Sequence, residues 1–204
     1  MQDLFVKGGV LVVPIIFCSV LALAIFVERF IRFAILRKRG LNVDERVARD
    51  LAENDAQSAL RAATDSRSPM GRILAQAMDV MGQDRETLET VLVHAIEEEV
   101  RELSRYLQAL ATIANIAPLL GLLGTVIGMI KAFMVIQEMG GKVNAAVLAG
   151  GIWEAMLTTA LGLAVALPTM VAHSYLIGQV DRYEARLQAG TVRFVKTLGG
   201  LRRN

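Results

Sequence analysis

The stretch GGIWEAMLTTALGLAVALP (residues 150–168) decides the fold. It carries a single charge, Glu154, and beyond it residues 155–180 carry none. A run of that kind exceeds the roughly 18 apolar residues that mark a spanning helix. Reading outward, residues 8–27 and 106–130 are also free of charged side chains. Core helices of water-soluble proteins seldom run so long without a charge on any face. The three blocks therefore read as three transmembrane helices of an all-α membrane protein. The composition, 54% hydrophobic over 204 residues, agrees.

The net charge of +2 says little about partners, but its distribution orients the chain. Arg29, Arg32, Arg37, Lys38 and Arg39 follow the first block, and Arg182, Arg186, Arg193, Lys196, Arg202 and Arg203 follow the third. Lys7 stands alone before the first block, and Lys142 is almost alone between the second and third. Basic residues collect in short flanks on the cytoplasmic side. This predicts an outer N-terminal segment (1–8), a first membrane helix (9–27) and a cytoplasmic helical region (28–107). A second membrane helix (108–136), an outer loop (137–144), a third membrane helix (145–178) and a cytoplasmic tail (179–204) follow. The second and third helices are longer than the ~20 residues that a hydrocarbon core requires, and are expected to extend into the cytoplasm.

The first block lacks the positive n-region and small-residue cleavage site of a signal peptide, so it reads as a retained helix. Cys18, the only cysteine, lies inside it as a small apolar filler, and no intrachain disulfide can form. The chain then continues as an amphipathic interfacial segment, FVERFIRFAILRKRG, ending at Gly40. Residues 28–105 hold 13 basic and 15 acidic side chains. That is too charged for a large core, and a small helical bundle is expected. TDSRSPMG (64–71) reads as its loop, because a residue before proline is biased against helix. Asp84, with Glu86, Thr87 and Glu89, marks a helix start near Gln83. That helix, carrying the acidic run Glu97, Glu98 and Glu99 on a solvated face, is read as running on into the second membrane helix.

Glu154 asks for an explanation. An acid at the centre of a membrane helix costs about 2.5–3.5 kcal/mol on insertion scales, so such groups face a bundle interior or a watery path. At about 100° per residue, Gly151, Ala155, Thr158, Thr159, Gly162, Ala166, Thr169, Ala172 and His173 share an arc of about 140° with Glu154. Trp153, Leu157, Leu161, Leu163, Leu167, Val171 and Tyr175 fall on the other side, with Val165 an exception on the polar face. The small, polar face has two readings: a hydrated or partner-facing surface with a protonatable group, or a helix-packing seam. Gly124 and Gly128 form a G-x-x-x-G pair suited to such a seam, and Gly162 lies on the small face. Lys131 reads as snorkelling to the outer interface, with pairing to Glu154 or Glu138 as the alternative. His173 reads as a hydrogen-bonded interfacial histidine.

APLLGLLGTVIGM (117–129) together with GGIWEAMLTTALGLAVALP resembles the ExbB/TolQ proton-channel family, most closely ExbB. The order and topology of the chain fit along nearly its whole length, although only the last two membrane helices are sharply similar. The resemblance implies a homo-oligomer, typically a pentamer, in a bacterial inner membrane, whose second and third helices line a pore. It further implies an ExbD- or TolR-like partner with a single membrane helix in that pore. Proton motive force would then drive a TonB- or TolA-like transducer that energises outer-membrane transport. Carried onto this chain, it assigns the proton pathway to Thr125, Glu154 and Thr159, with Thr158 as a further hydroxyl. Threonines can hold water but cannot titrate near neutral pH, which leaves Glu154 as the intramembrane acid.

Within the family, a TolQ-type role in envelope integrity is the alternative to the ExbB role. A flagellar MotA-type subunit ranks lower, because it normally has four membrane helices. A non-conducting scaffold would explain the seam but leave Glu154 without a purpose. No nucleophile–base arrangement and no metal-ligand spacing is present in the sequence, so no enzyme, cofactor or nucleic-acid partner is expected.

Overall fold

The computed structural model describes residues 10–38, 42–138 and 145–201, and all regular structure among them is helical. The helices are α1 (Val12–Lys38), α2 (Val43–Ala52), α3 (Ala56–Asp65), α4 (Pro69–Asp79), α5 (Arg85–Leu103), α6 (Leu107–Glu138) and α7 (Ala145–Leu201). The expected outer segment 1–8, the expected helix end at Gly40, residues 139–144 of the expected outer loop, and Arg202 and Arg203 lie outside the described residues. α1, α6 and α7 are each long and apolar enough to cross a membrane.

The chain divides into two compact units. One comprises the described residues of Met1–Glu28 and Tyr106–Tyr175; the other comprises those of Arg29–Arg105 and Leu176–Asn204.

The first unit is apolar on its outside. Phe17, Val20 and Leu23 of α1, Leu119, Leu122 and Phe133 of α6, and Trp153, Leu167 and Val171 of α7 are all more than half exposed. Water does not tolerate so continuous an apolar exterior, and lipid does. On α1 only Val12, Ile15 and Ala22 of this unit are buried, a narrow stripe at helical spacing. Pro118 and Pro168 lie inside α6 and α7, which continue through them. Membrane helices tolerate the missing N–H where neighbouring groups satisfy the freed carbonyl.

The second unit has a core of its own. Val47, Leu51, Ala59, Ile73, Leu74, Ala77, Leu88, Leu92, Leu187 and Phe194 are buried in one cluster. Three of its helices, α3, α4 and α5, start on side-chain caps. Asp55, Ser68 and Asp84 accept from the backbone N–H groups of Ser58, Gly71 and Thr87 at 2.9, 3.1 and 2.9 Å. Each satisfies a donor that the first helical turn leaves orphaned. The segment TDSRSPMG is shorter as a loop than expected. Only residues 66–68 separate α3 from α4, because Ser68 caps α4 and Pro69 takes its first position.

α5 also differs from expectation: it does not run on into α6. It ends at Leu103, and Tyr106 takes a left-handed conformation at φ 68°. Arg29, buried to 1% exposure, donates from Nη1 to the carbonyls of Glu102 at 3.1 Å and Leu103 at 3.5 Å. A guanidinium there satisfies last-turn carbonyls and suits the negative end of the helix dipole.

Ion pairs pin the elements of this unit together. Arg72 grips both oxygens of the mostly buried Glu99 at 2.5 Å. Arg32 pairs with Glu102, and Arg193 bridges Asp44 and Glu45 at 2.9 and 3.0 Å.

Candidate functional site

The site lies where α6 and α7 pack, within the first unit. α6 contributes Gly121, Gly124 and Gly128, all buried, and α7 contributes buried Ala155, Thr158, Gly162, Ala166 and Thr169. The approach is close enough that the glycines leave no room for a methyl group. A Cβ on Gly124 would lie 2.3 Å from Thr158 Oγ1 and 2.6 Å from its Cβ. One on Gly128 would lie 3.0 Å from Ala155 Cβ, and one on Gly162 would lie 2.6 Å from the Ala117 carbonyl oxygen. Without a hydrophobic drive between helices in lipid, such backbone proximity supplies the packing. The residues at Gly124, Gly128 and Gly162 thus sit where a seam needs them.

The hydroxyls of the site are all used in hydrogen bonds. Thr158 Oγ1, buried, donates to the Ala155 carbonyl at 2.7 Å. Thr159 Oγ1 reaches across the seam and donates to the Gly121 carbonyl at 2.9 Å. Thr125 Oγ1 donates to the Leu122 carbonyl at 2.6 Å. Their lone pairs remain the groups through which Thr125 and Thr159, both half-buried, can accept from water or a partner. Thr158 has no such opening, since it is only 2% exposed.

The charged residues meet one another. Lys131 Nζ lies 3.3 Å from Glu154 Oε1, with side-chain exposures of 53% and 27%. Of the two readings open for Lys131, the structure has the ion pair. Sequence reasoning preferred snorkelling, because the pairing depends on the rotational register of two helices. The available signal was that Lys131 and Glu154 are opposite charges isolated in two long uncharged segments.

The candidate residues do not form one surface. At about 100° per residue, Glu154 stands about 80° to one side of the buried stripe on α7, and Thr159 about 60° to the other. On α6, Lys131 stands about 50° to one side of the glycine stripe and Thr125 about 70° to the other. For antiparallel helices this puts Lys131 with Glu154 on one edge of the seam, and Thr125 with Thr159 on the opposite edge. Thr158 lies between them. His173 is half-buried further along α7.

Comparison with known proteins bears on this arrangement. Residues 65–189 match the MotA/TolQ/ExbB proton channel family. A biopolymer transport protein ExbB homolog of Methanothermobacter thermautotrophicus is 34% identical over 135 residues, 66% of this chain and 47% of that protein. An ExbB-like protein of Synechocystis sp. is 33% identical over 193 residues, 90% of this chain and 74% of its own length. The biopolymer transport protein ExbB of Salmonella typhimurium is 30% identical over 194 residues, 91% of this chain and 78% of its own. The chain thus spans about half the first of these relatives and about three quarters of the others. The family match covers more than half of the chain, including all of α6 and the site residues of α7, and the chain belongs to the MotA/TolQ/ExbB proton channel family.

Proposed function

We propose that this chain is the proton-channel subunit of a bacterial inner-membrane motor, which uses proton motive force to energise outer-membrane transport. The observation that carries the reading is Glu154. It is an ionisable carboxylate on a membrane helix that is otherwise uncharged through residue 180, at the rim of a tightly packed two-helix seam. A group so costly to place in a membrane is retained for ion movement more readily than for packing. The flanking arginines and lysines support an outer N-terminus, a cytoplasmic 28–107 region and a cytoplasmic tail.

In this reading the chain assembles as a homo-oligomer, typically a pentamer, surrounded by lipid. α6 and α7 of neighbouring copies line its pore together, one copy bringing the Glu154 rim and the next bringing the rim of Thr125 and Thr159. An ExbD- or TolR-like helix sits in the pore and brings a second carboxylate. Movement of protons past that interface drives a TonB- or TolA-like transducer. Thr158 belongs to the seam supporting the pore wall and does not face the pore.

Proton flux into proteoliposomes containing the chain and a candidate single-helix partner tests this. Glu154→Gln and Thr159→Ala should abolish or strongly reduce flux in complexes that still assemble. Thr158→Val, which keeps the shape of a buried side chain, should leave most of it. Full flux in both Glu154→Gln and Thr159→Ala would make the polar face a packing surface, and the chain a scaffold.

A further inference from the structure

The second unit holds a cleft that proton conduction does not use. Its volume is about 230 Å³, and three elements wall it. α1 contributes Arg32 and Ile35, the turn before α4 and the first turn of α4 contribute Arg67 and Arg72, and the end of α5 contributes Glu99 and Glu102. Pockets for drug-sized ligands run to about 300–1,000 Å³, so this one suits a solute the size of a headgroup.

Three guanidiniums face two carboxylates there, an excess of one positive charge. Both carboxylates are already held, Glu99 by Arg72 and Glu102 by Arg32. They occupy two N–H donors of Arg72 and one of Arg32. A guanidinium has five, so both arginines keep donors for a further acceptor. Arg67 is exposed, and its side chain makes no hydrogen bond or ion pair among the described residues. Two carbonyls at the end of α5, which would repel an anion, take hydrogen bonds from Arg29.

Arg67 stands in its place against local preference. It is the second residue after α3, and its φ is 46°. Glycine is the usual residue at a left-handed helix end, because it carries no Cβ. Apolar surface adjoins the cleft. Ile31 and Ile35, one turn apart on α1, are both exposed. Arg32 follows Val27, the last residue of the first uncharged run, by five residues, about 7.5 Å along the helix. The headgroup layer of a bilayer is about 5–8 Å deep on each side. Cationic and apolar groups therefore meet at headgroup depth.

We propose that this cleft binds the phosphate group of an anionic ligand, held by Arg67 and Arg32 with Arg72 completing the rim. The exposed isoleucines favour a phospholipid over a soluble phosphate ester as the source, with acyl chains lying along Ile31 and Ile35. The planar fork of a guanidinium matches two phosphate oxygens at once. Basic pockets beside membrane helices on the cytoplasmic side take anionic headgroups in this way. The site lies wholly in the second unit, so it stands or falls independently of the channel.

The test uses full-length protein in neutral detergent micelles at low salt. Phosphatidylglycerol, phosphatidylcholine, glycerol 3-phosphate and inorganic phosphate are titrated separately. Native mass spectrometry counts bound molecules, and thermal unfolding reports stability. Phosphatidylglycerol should bind and raise the melting temperature, with phosphatidylcholine about tenfold weaker. Arg67→Gly should weaken phosphatidylglycerol about tenfold, the usual effect of removing a charged donor. Without lipid that variant should melt no lower than wild type, because glycine suits the left-handed backbone. Arg67→Gln should lose binding as well, and it serves if the glycine variant misfolds. Arg67→Lys should recover part of it. Binding of phosphatidylglycerol far tighter than that of the two soluble probes supports the site with lipid as its source. Comparable, Arg67-dependent binding of glycerol 3-phosphate or inorganic phosphate supports the site with a soluble source. The proposal is overturned if no probe binds, if the two lipids bind equally, or if Arg67→Gly and Arg67→Gln both bind phosphatidylglycerol as wild type does.

Discussion

A single methyl group placed in the seam measures how close α6 and α7 stand. In Gly162→Ala the new Cβ would meet the Ala117 carbonyl oxygen at 2.6 Å, and Gly121 Cα and N at 3.1 and 3.2 Å. All three are backbone atoms, so no side chain can rotate away. The first contact falls about 0.8 Å short of the 3.4 Å at which ordinary contact begins, and only parting the helices can relieve it. Overpacking of this kind costs about 1–3 kcal/mol. Alanine also gains about 1 kcal/mol over glycine in helix propensity, which works in the opposite direction. Gly150→Ala, on the same helix with nothing within 4 Å of its Cβ, carries the propensity gain without the clash. The difference between the two variants therefore isolates the packing term. Equilibrium unfolding of the full chain in mixed micelles, at matched protein concentration, should place Gly162→Ala about 1–3 kcal/mol below Gly150→Ala. If Gly162→Ala is as stable as Gly150→Ala, the helices do not approach as described, and the seam reasoning fails.

Two further predictions concern the polar unit. Arg72→Met should destabilise the protein by about 1–3 kcal/mol, because it strands the mostly buried Glu99 carboxylate, and Arg72→Met with Glu99→Leu should recover much of that loss in thermal unfolding. The Arg32 guanidinium beside Glu102 holds that carboxyl below the usual carboxylate range, chiefly by their hydrogen bond. A carboxyl depressed in the folded state contributes stability above its unfolded value, about 4.3, and loses it as the pH falls through the folded value. Arg32→Gln should therefore flatten the acid limb of a stability–pH curve, and an unchanged slope would refute the pairing.

Features set by local composition were legible in the sequence. Three charge-free runs gave the membrane helices, since neither burial nor partner choice is needed to recognise ~20 uncharged residues. Asp84 as a cap was legible because its side chain bonds only three residues away. Features set by contacts between distant residues were not. The break between α5 and α6 falls at Ser104, Arg105 and Tyr106, with no glycine or proline to announce it. Arg29, more than seventy residues earlier in the chain, holds the α5 carbonyls there. The loop at 64–71 shrank because Ser66 and Ser68 bond each other and the helix ends, a use of hydroxyls that composition alone does not reveal.

The polar face of α7 shows the same limit at the site. Rotation about one helix axis groups Glu154, Thr158 and Thr159 on one arc of about 140°, and this suggests a single surface. A second helix packed on the middle of that arc divides it. The glycines of α6 cover Thr158 and leave Glu154 on one rim and Thr159 on the other. Any water or partner helix that meets one copy of this chain from a single side reaches the carboxylate rim or the threonine rim, and not both. An ion path that uses Glu154 and Thr159 together therefore requires a second copy to bring the other rim. For such a path the neighbouring copy would be part of the site, whereas the resemblance alone offered oligomerisation with no tie to particular residues.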